Sequence, residues 1–351
     1  MSEQRFPIDY FVRTVVCLLD TIQYKDTNYT HEHRLRNLEY VYSEAAIHFA
    51  QPCVNDALKV EPKKLEAFLR TTTRMVVYSW VKTSPKQMAA LTIYYTYTAI
   101  LNDSEDSHYP EMNTFYNDMI CGRQQRHPWW RLVNKHLPNV LKHYGPFCAF
   151  NIYRSTLDYF EGRWIEQNNF HGYRGSEDYP GFLRRLNGLG HAVGASLWPS
   201  ARFDEQELFQ EITTAISMME HWEPWLNDLL SFYKEFDDHH DQTKLINNYR
   251  HVEGQSVTEA VEKLAQNLLR VSEQVMYVFK DKDPRILDTL TPFMYGYVTW
   301  HLSDERYRMN EVYERVSEND EMGRKFCRYY EDANKVGRID PAKWARLSVS
   351  E

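Results

Sequence analysis

The sequence predicts an all-α protein, and three observations carry that reading. Apolar residues recur at helical spacing, alternating strand-like runs bounded by Asn-Gly or Asp-Gly turns are nearly absent, and Pro and Gly fall between the helical stretches. Only 13 Gly occur in 351 residues, while 9 Trp, 25 Tyr and 17 Phe make up 15% of the chain. Lys and Arg number 41 against 49 Asp and Glu, a net charge of −8, so nothing global recruits nucleic acid or an anionic membrane. A polyanion must be met by a local site.

The elements follow in chain order. The opening stretch, MSEQRFPIDYFVRTVVCLLD, has its apolar run broken by Asp9 and Arg13 and lacks a basic leader and a small-residue cleavage site, so it reads as a helix. Leu35, Leu38, Tyr42, Ala45 and Phe49 then draw one stripe down a helix, as do Val257, Ala260, Val261, Leu264, Leu268, Val271, Val275 and Phe279. Between such stretches stand Pro52, Pro62, Pro85, Pro110, Pro128, Pro138, Pro180, Pro199 and Pro284. Helices of roughly eleven residues or more give about ten to thirteen of them. With no linker, repeat or shift of composition, residues 1–351 read as one domain, its more charged end from about Val316 as a looser tail. Five widely spread cysteines without a CxxC pair exclude a disulfide framework or zinc site, and no apolar run is long enough to span a bilayer. The expected compartment is the cytosol.

Two segments are apolar on nearly every face: AALTIYYTYTAIL, from Ala89 to Leu101, and TPFMYGYVTWHL, from Thr291 to Leu302. Both suit the centre of a helical bundle, and both run into charge. The first leads to Asn102, Asp103, Ser104, Glu105 and Asp106; the second leads to Asp304, Glu305, Arg306, Tyr307 and Arg308. Apolar walls ending in a charged rim describe a deep pocket with an ionic mouth.

The sharpest local signal is WLNDLLSFYKEFDD, Trp225 to Asp238. Asn227, Ser231 and Glu235 stand at i, i+4 and i+8, so three oxygen donors face one side of a helix over about 12 Å. An amide oxygen, a hydroxyl and a carboxylate are hard ligands that suit Mg²⁺, whose remaining positions go to water and substrate phosphate. Asp103 and Asp106, nearly one turn apart, form a second acidic cluster. Alone that pair is an ordinary helix end; facing the trio across a pocket it makes a site for several Mg²⁺ ions and a diphosphate leaving group.

An aspartate-rich segment after an aromatic helix, followed by NDxxSxxxE, resembles the class I terpene cyclases. The segments YSWVK, YYTYT, HPWWRLVN, GPFCAFNIYRSTLDYFEG, WIEQNNF, YPGFLRRLNGLGH, GASLWP, GYVTWHL and DERYR narrow the resemblance to the fungal trichodiene synthase family over nearly the whole chain. The resemblance implies a single-domain all-α bundle that ionises farnesyl diphosphate with three Mg²⁺ ions and cyclises the cation, commonly as a homodimer. Its product would be trichodiene or another cyclic sesquiterpene, or an alcohol such as longiborneol. Residue by residue, it implies metal ligands at Asn227, Ser231, Glu235 and in the segment holding Asn102, Asp103 and Asp106. Arg184, Lys234, Arg306 and Tyr307 would bind the diphosphate. Ring faces steady a cation, and Tyr95, Tyr159, Tyr297 and Trp300, close to those groups in sequence or on the same buried helices, are the candidates. Trp129, Trp130, Trp164 and Trp198 are expected in the core.

One position departs from the family pattern. Where two aspartates are expected, this chain has Asn102 and Asp103. A neutral amide oxygen can take a coordination site but cannot bridge two metal ions as an anion can. The expectation is retained activity with a higher Mg²⁺ requirement. The competing reading is a cyclase-like protein with impaired ionisation that binds an isoprenoid or scaffolds other chemistry.

Overall fold

The computed structural model describes residues 6–102, 112–236, 244–316 and 320–346. Within them the chain runs through α1 (Ile8–Thr21), α2 (His31–Phe49), α3 (Pro52–Leu58), α4 (Pro62–Ser79), α5 (Pro85–Asn102) and α6 (Met112–Ile120). It continues through α7 (Pro128–Leu141), α8 (Pro146–Gln167), α9 (Tyr179–Asn187), α10 (Gly190–Ser196), α11 (Phe209–Glu235) and α12 (Leu245–Glu253). The last helices are α13 (Val257–Val278), α14 (Pro284–Ser303), α15 (Met309–Arg315) and α16 (Glu321–Gly337), with 3₁₀ turns at Glu305–Tyr307 and Pro341–Lys343. Among the described residues the extended pairing is one isolated bridge, Tyr144 to Pro199. No helix among them is long and apolar enough to cross a membrane.

The fold is all-α, as the sequence predicts, but it has more helices than ten to thirteen. The surplus comes from short elements such as α3, α10 and α15, each 7 residues long, which the ordinary-length assumption merges or misses. Proline explains many starts: Pro52, Pro62, Pro128 and Pro284 occupy a first-turn position where the missing N–H is no loss. Pro138 corrects the reading that prolines only separate helices, since it lies inside α7, and Pro224 and Pro292 lie inside α11 and α14.

The two all-apolar segments are central. In α5 the buried run includes Leu91, Tyr94, Tyr95, Tyr97 and Leu101; in α14 it includes Phe293, Met294, Tyr297, Val298 and Trp300. Several of their buried hydroxyls pair across helices. Thr96 meets Thr72 of α4 at 2.7 Å, and Tyr94 meets Thr156 of α8 at 2.9 Å. Helix α14 packs against α4, and a Cβ at Gly296 would collide with the carbonyl of Tyr78, so this approach requires glycine. Farther out, α13 starts with a Ser256–Glu259 capping box and buries the Val257–Val275 stripe against α1 and α11. Each large aliphatic side chain so buried contributes about 1.5–3 kcal/mol.

Two expectations differ in detail. The charged stretch after Val316 contains α16, whose Phe326, Tyr330 and Ala333 pack it onto α14 and α1. Of the four tryptophans expected inside, Trp130 and Trp198 are core and Trp129 is half-buried. Trp164 is 40% exposed, because it sits on the outer face of α8 near its end.

Candidate active site

Helices α4, α5, α8, α11 and α14 surround a cavity holding about 1130 Å³ of empty space, its open mouth included. Tyr95 from α5, Tyr159 from α8, and Tyr297 with Trp300 from α14 all line it. So do Asn102, Arg184, Asn227, Lys234, Glu235, Arg306 and Tyr307. Residues from sequence positions two hundred apart therefore share one chamber. Asp103 and Asp106 lie outside the described residues.

The aromatic wall is built by helical spacing. Tyr297 and Trp300 are three residues apart on α14, with ring centroids 5.4 Å apart, and Phe293 stacks on Tyr297 from one turn earlier at 5.6 Å. Tyr95 packs on Trp80 at 5.2 Å. Tyr159 is fixed by donating to the Thr98 carbonyl at 2.8 Å. The Trp300 indole N–H is buried without a hydrogen-bond partner among the described residues. Such a wall offers ring faces, with few lone pairs, to whatever occupies the cavity.

At the mouth, α11 presents its polar face. Asn227 uses Nδ2 toward His301 Nε2 at 3.2 Å and the Tyr307 hydroxyl at 3.4 Å, which leaves its Oδ1 available. Ser231 is 1% exposed, its Oγ has no partner among the described residues, and it sits behind the lining atoms rather than among them. Glu235 receives Lys244 at 2.7 Å and Lys234 at 3.1 Å. Burial alone would raise its carboxyl, but Lys244 and Lys234 outweigh it and hold Glu235 below the usual range. An available amide oxygen, an orphaned buried hydroxyl and an ionised carboxylate on one helix face fit a hard divalent cation. Among the described residues no three His, Cys, Asp or Glu side chains cluster for a metal, so the donor set depends on Asn and Ser.

The basic groups converge on the same mouth. Burial, with Arg306 nearby, brings Lys234 down to about 8, and its ammonium lies 5.5 Å from the Tyr307 ring centre. Tyr307 is buried in the 3₁₀ turn after α14, held edge-on to Trp300 at 5.0 Å; Asp304 caps that turn by accepting from the Arg306 N–H at 3.0 Å. Arg184 is engaged rather than free. It donates to Asp228 at 2.7 Å, the Pro224 carbonyl at 3.1 Å and Asn187 Oδ1 at 3.2 Å. Burial lifts Asp228 to about 6 against the opposing pull of Arg184.

A chain of contacts runs on from there. Asn187 donates to Glu166 at 2.6 Å, Glu166 receives Arg163 at 2.6 Å, and Arg163 reaches the Asn102 carbonyl at 3.0 Å and its Oδ1 at 3.4 Å. Asn102 thus ends α5 facing a guanidinium at the rim. These partners span up to 61 residues, and no sequence window contains them.

Sequence reasoning also missed Glu223. It lies one turn before Asn227, on the same face of α11, and lines the cavity. Its Oε1 accepts from the Tyr297 hydroxyl, its Oε2 is buried without a partner, and burial lifts the carboxyl to about 7. The i−4 spacing from Asn227 was the available signal.

The whole-chain comparisons point one way. The family model for trichodiene synthase matches residues 5–351. A trichodiene synthase of Stachybotrys chartarum is 57% identical over 349 residues, covering 99% of this chain and 91% of the relative. That of Fusarium sporotrichioides is 56% identical, with 99% and 93% covered, and that of Fusarium culmorum is 54% identical with the same coverage. With an all-α bundle closed around an aromatic cavity, the chain belongs to the trichodiene synthase family and is a terpene cyclase.

Proposed function

We propose that the chain is a Mg²⁺-dependent sesquiterpene cyclase that takes farnesyl diphosphate, releases diphosphate and closes the allylic cation to trichodiene, another cyclic sesquiterpene, or an alcohol such as longiborneol. The observation that carries this reading is the union, in one cavity, of four aromatic side chains with a mouth of oxygen donors and cations. The chain acts as a single domain in the cytosol and pairs as a homodimer.

Asn227, Ser231 and Glu235, together with the segment of Asn102, Asp103 and Asp106, would hold three Mg²⁺ ions. Bound there, Mg²⁺ supplies the charge neutralisation that makes diphosphate a leaving group. Arg184, Lys234, Arg306 and Tyr307 donate to the phosphate oxygens, the arginines through paired N–H groups. For Arg184 to reach substrate, its bonds to Asp228 and Asn187 must be exchanged for bonds to phosphate. Lys234, in donating to phosphate, likewise gives up its contact with Glu235.

Once the C–O bond has broken, water must be kept out and no nucleophile offered. Tyr95, Tyr159, Tyr297 and Trp300 serve both needs: their faces exclude water, and a desolvated cation over a ring gains about 2 kcal/mol. Asn102 supports the impaired-ionisation alternative, since it withholds a charge from the first ligand segment. The test is diphosphate release from farnesyl diphosphate with Mg²⁺ and with a chelator. Chelator-sensitive release supports the proposal; no release at any Mg²⁺ level by folded protein supports the isoprenoid-binding alternative.

A further inference from the structure

Among the described residues four carboxyl side chains line the cavity, and three are ion-paired. Glu166 is held by Arg163 and Asn187, Asp228 by Arg184, and Glu235 by Lys234 and Lys244. Glu223 has no ion pair among the described residues. It is 8% exposed, and its Oε2 is a buried acceptor with no donor among the described residues. Leaving such an oxygen unsatisfied is costly, so it calls for an explanation. A structural carboxyl would be expected to find a donor for both oxygens. A carboxyl kept for chemistry needs one oxygen fixed and the other uncommitted to a donor.

The location suits the second case. Glu223 stands one turn deeper along α11 than Asn227, between the ionic mouth and the ring wall. Tyr297 fixes Oε1, and the Tyr297 ring is itself part of that wall. A cation carried past Tyr297 and Trp300 therefore passes beside the one cavity carboxyl, among the described residues, that is not already neutralised by a cation.

We propose that Glu223 accepts the proton released when the last carbocation is quenched. The inference rests on the cyclase reading above. In an elimination, the C–H electron pair next to the cationic carbon becomes the new C=C bond and the proton passes to Glu223. In a capture, a water lone pair forms the C–O bond and the resulting oxonium gives its proton to the same carboxylate. Either way the carboxylate becomes a carboxylic acid, and the proton leaves to solvent or to the released diphosphate when the site opens. The Tyr297 bond holds Oε1 back from forming an ester with the cation.

The test compares wild type, Glu223→Gln, Glu223→Asp and Tyr297→Phe with farnesyl diphosphate and Mg²⁺, reading each terpene product per diphosphate released, alongside a melting curve. Gln preserves an acceptor for Tyr297 but cannot take a proton. In Glu223→Gln the wild-type major product should fall at least tenfold per diphosphate released, replaced by products of earlier quenching, and Glu223→Asp should recover part of it. An unchanged product profile in Glu223→Gln, with or without a lower melting temperature, overturns the proposal. Should Glu223→Gln fail to fold, Tyr297→Phe, which keeps the ring and removes the donor, must shift the profile; an unchanged profile there overturns it too. No diphosphate release by wild type would instead refute the cyclase reading.

Discussion

Glu223 also makes a stability prediction that needs no substrate. Its carboxyl sits at about 7 in the folded chain against 4.5 for the ordinary side chain, because burial disfavours the charged form. Between those values the folded protein holds a proton that the unfolded chain has lost. Stability from this group is therefore fully present below the ordinary value and is lost as pH rises through about 7. At about 1.36 kcal/mol per unit, the loss between about pH 5 and about pH 8 is on the order of 2–3 kcal/mol. Glutamine does not titrate, so Glu223→Gln should lack this decline. Urea unfolding of metal-free wild type and Glu223→Gln across that range isolates it, since other titrating groups largely cancel in the difference. Parallel stability curves for the two proteins would refute the placement of Glu223 as a buried, unpaired carboxyl.

Further predictions follow from the mouth. Asn102→Asp should lower the Mg²⁺ concentration for half-maximal diphosphate release, by adding an anionic oxygen to the first ligand segment; an unchanged Mg²⁺ titration would exclude Asn102 from the metal site. If wild type gives no product at any Mg²⁺ level and Asn102→Asp restores it, the proposed native activity is wrong. Ser231→Ala removes a hydroxyl with no partner, so urea unfolding should show a change within about 1 kcal/mol. Turnover at limiting Mg²⁺ should nevertheless fall tenfold or more, and saturating Mg²⁺ should recover part of it. Arg184→Ala strands the buried Asp228 carboxylate and should destabilise the fold by about 3 kcal/mol, besides slowing diphosphate release; a loss under about 1 kcal/mol in urea would contradict the pairing.

Much of this was legible because the signals were local. The trio Asn227, Ser231 and Glu235 lies on one stretch of α11, and the buried helices α5 and α14 announce themselves by being apolar all round. What escaped depends on partners. Arg163 reads as an ordinary charge in its own segment and gains meaning only where it meets Asn102, 61 positions away. Lys244, which holds Glu235, follows residues that carry no motif. The tail misled because its charge dominates its average, whereas the spacing of Phe326, Tyr330 and Ala333 makes a packing stripe. Trp164 misled in the opposite sense: a large ring argues for burial, but its place on α8 turns it outward. Pro138 is tolerated in the last turns of α7, which a rule about helix boundaries does not foresee.

The central claim is that this cavity ionises a C15 allylic diphosphate and shapes the cation. The most direct test is incubation of purified protein with farnesyl diphosphate and Mg²⁺, with the organic products resolved by gas chromatography and mass spectrometry. Cyclic sesquiterpene hydrocarbon or alcohol, abolished by chelator, is the predicted result. Intact substrate, or only acyclic alcohols at the level of a protein-free control, would contradict it.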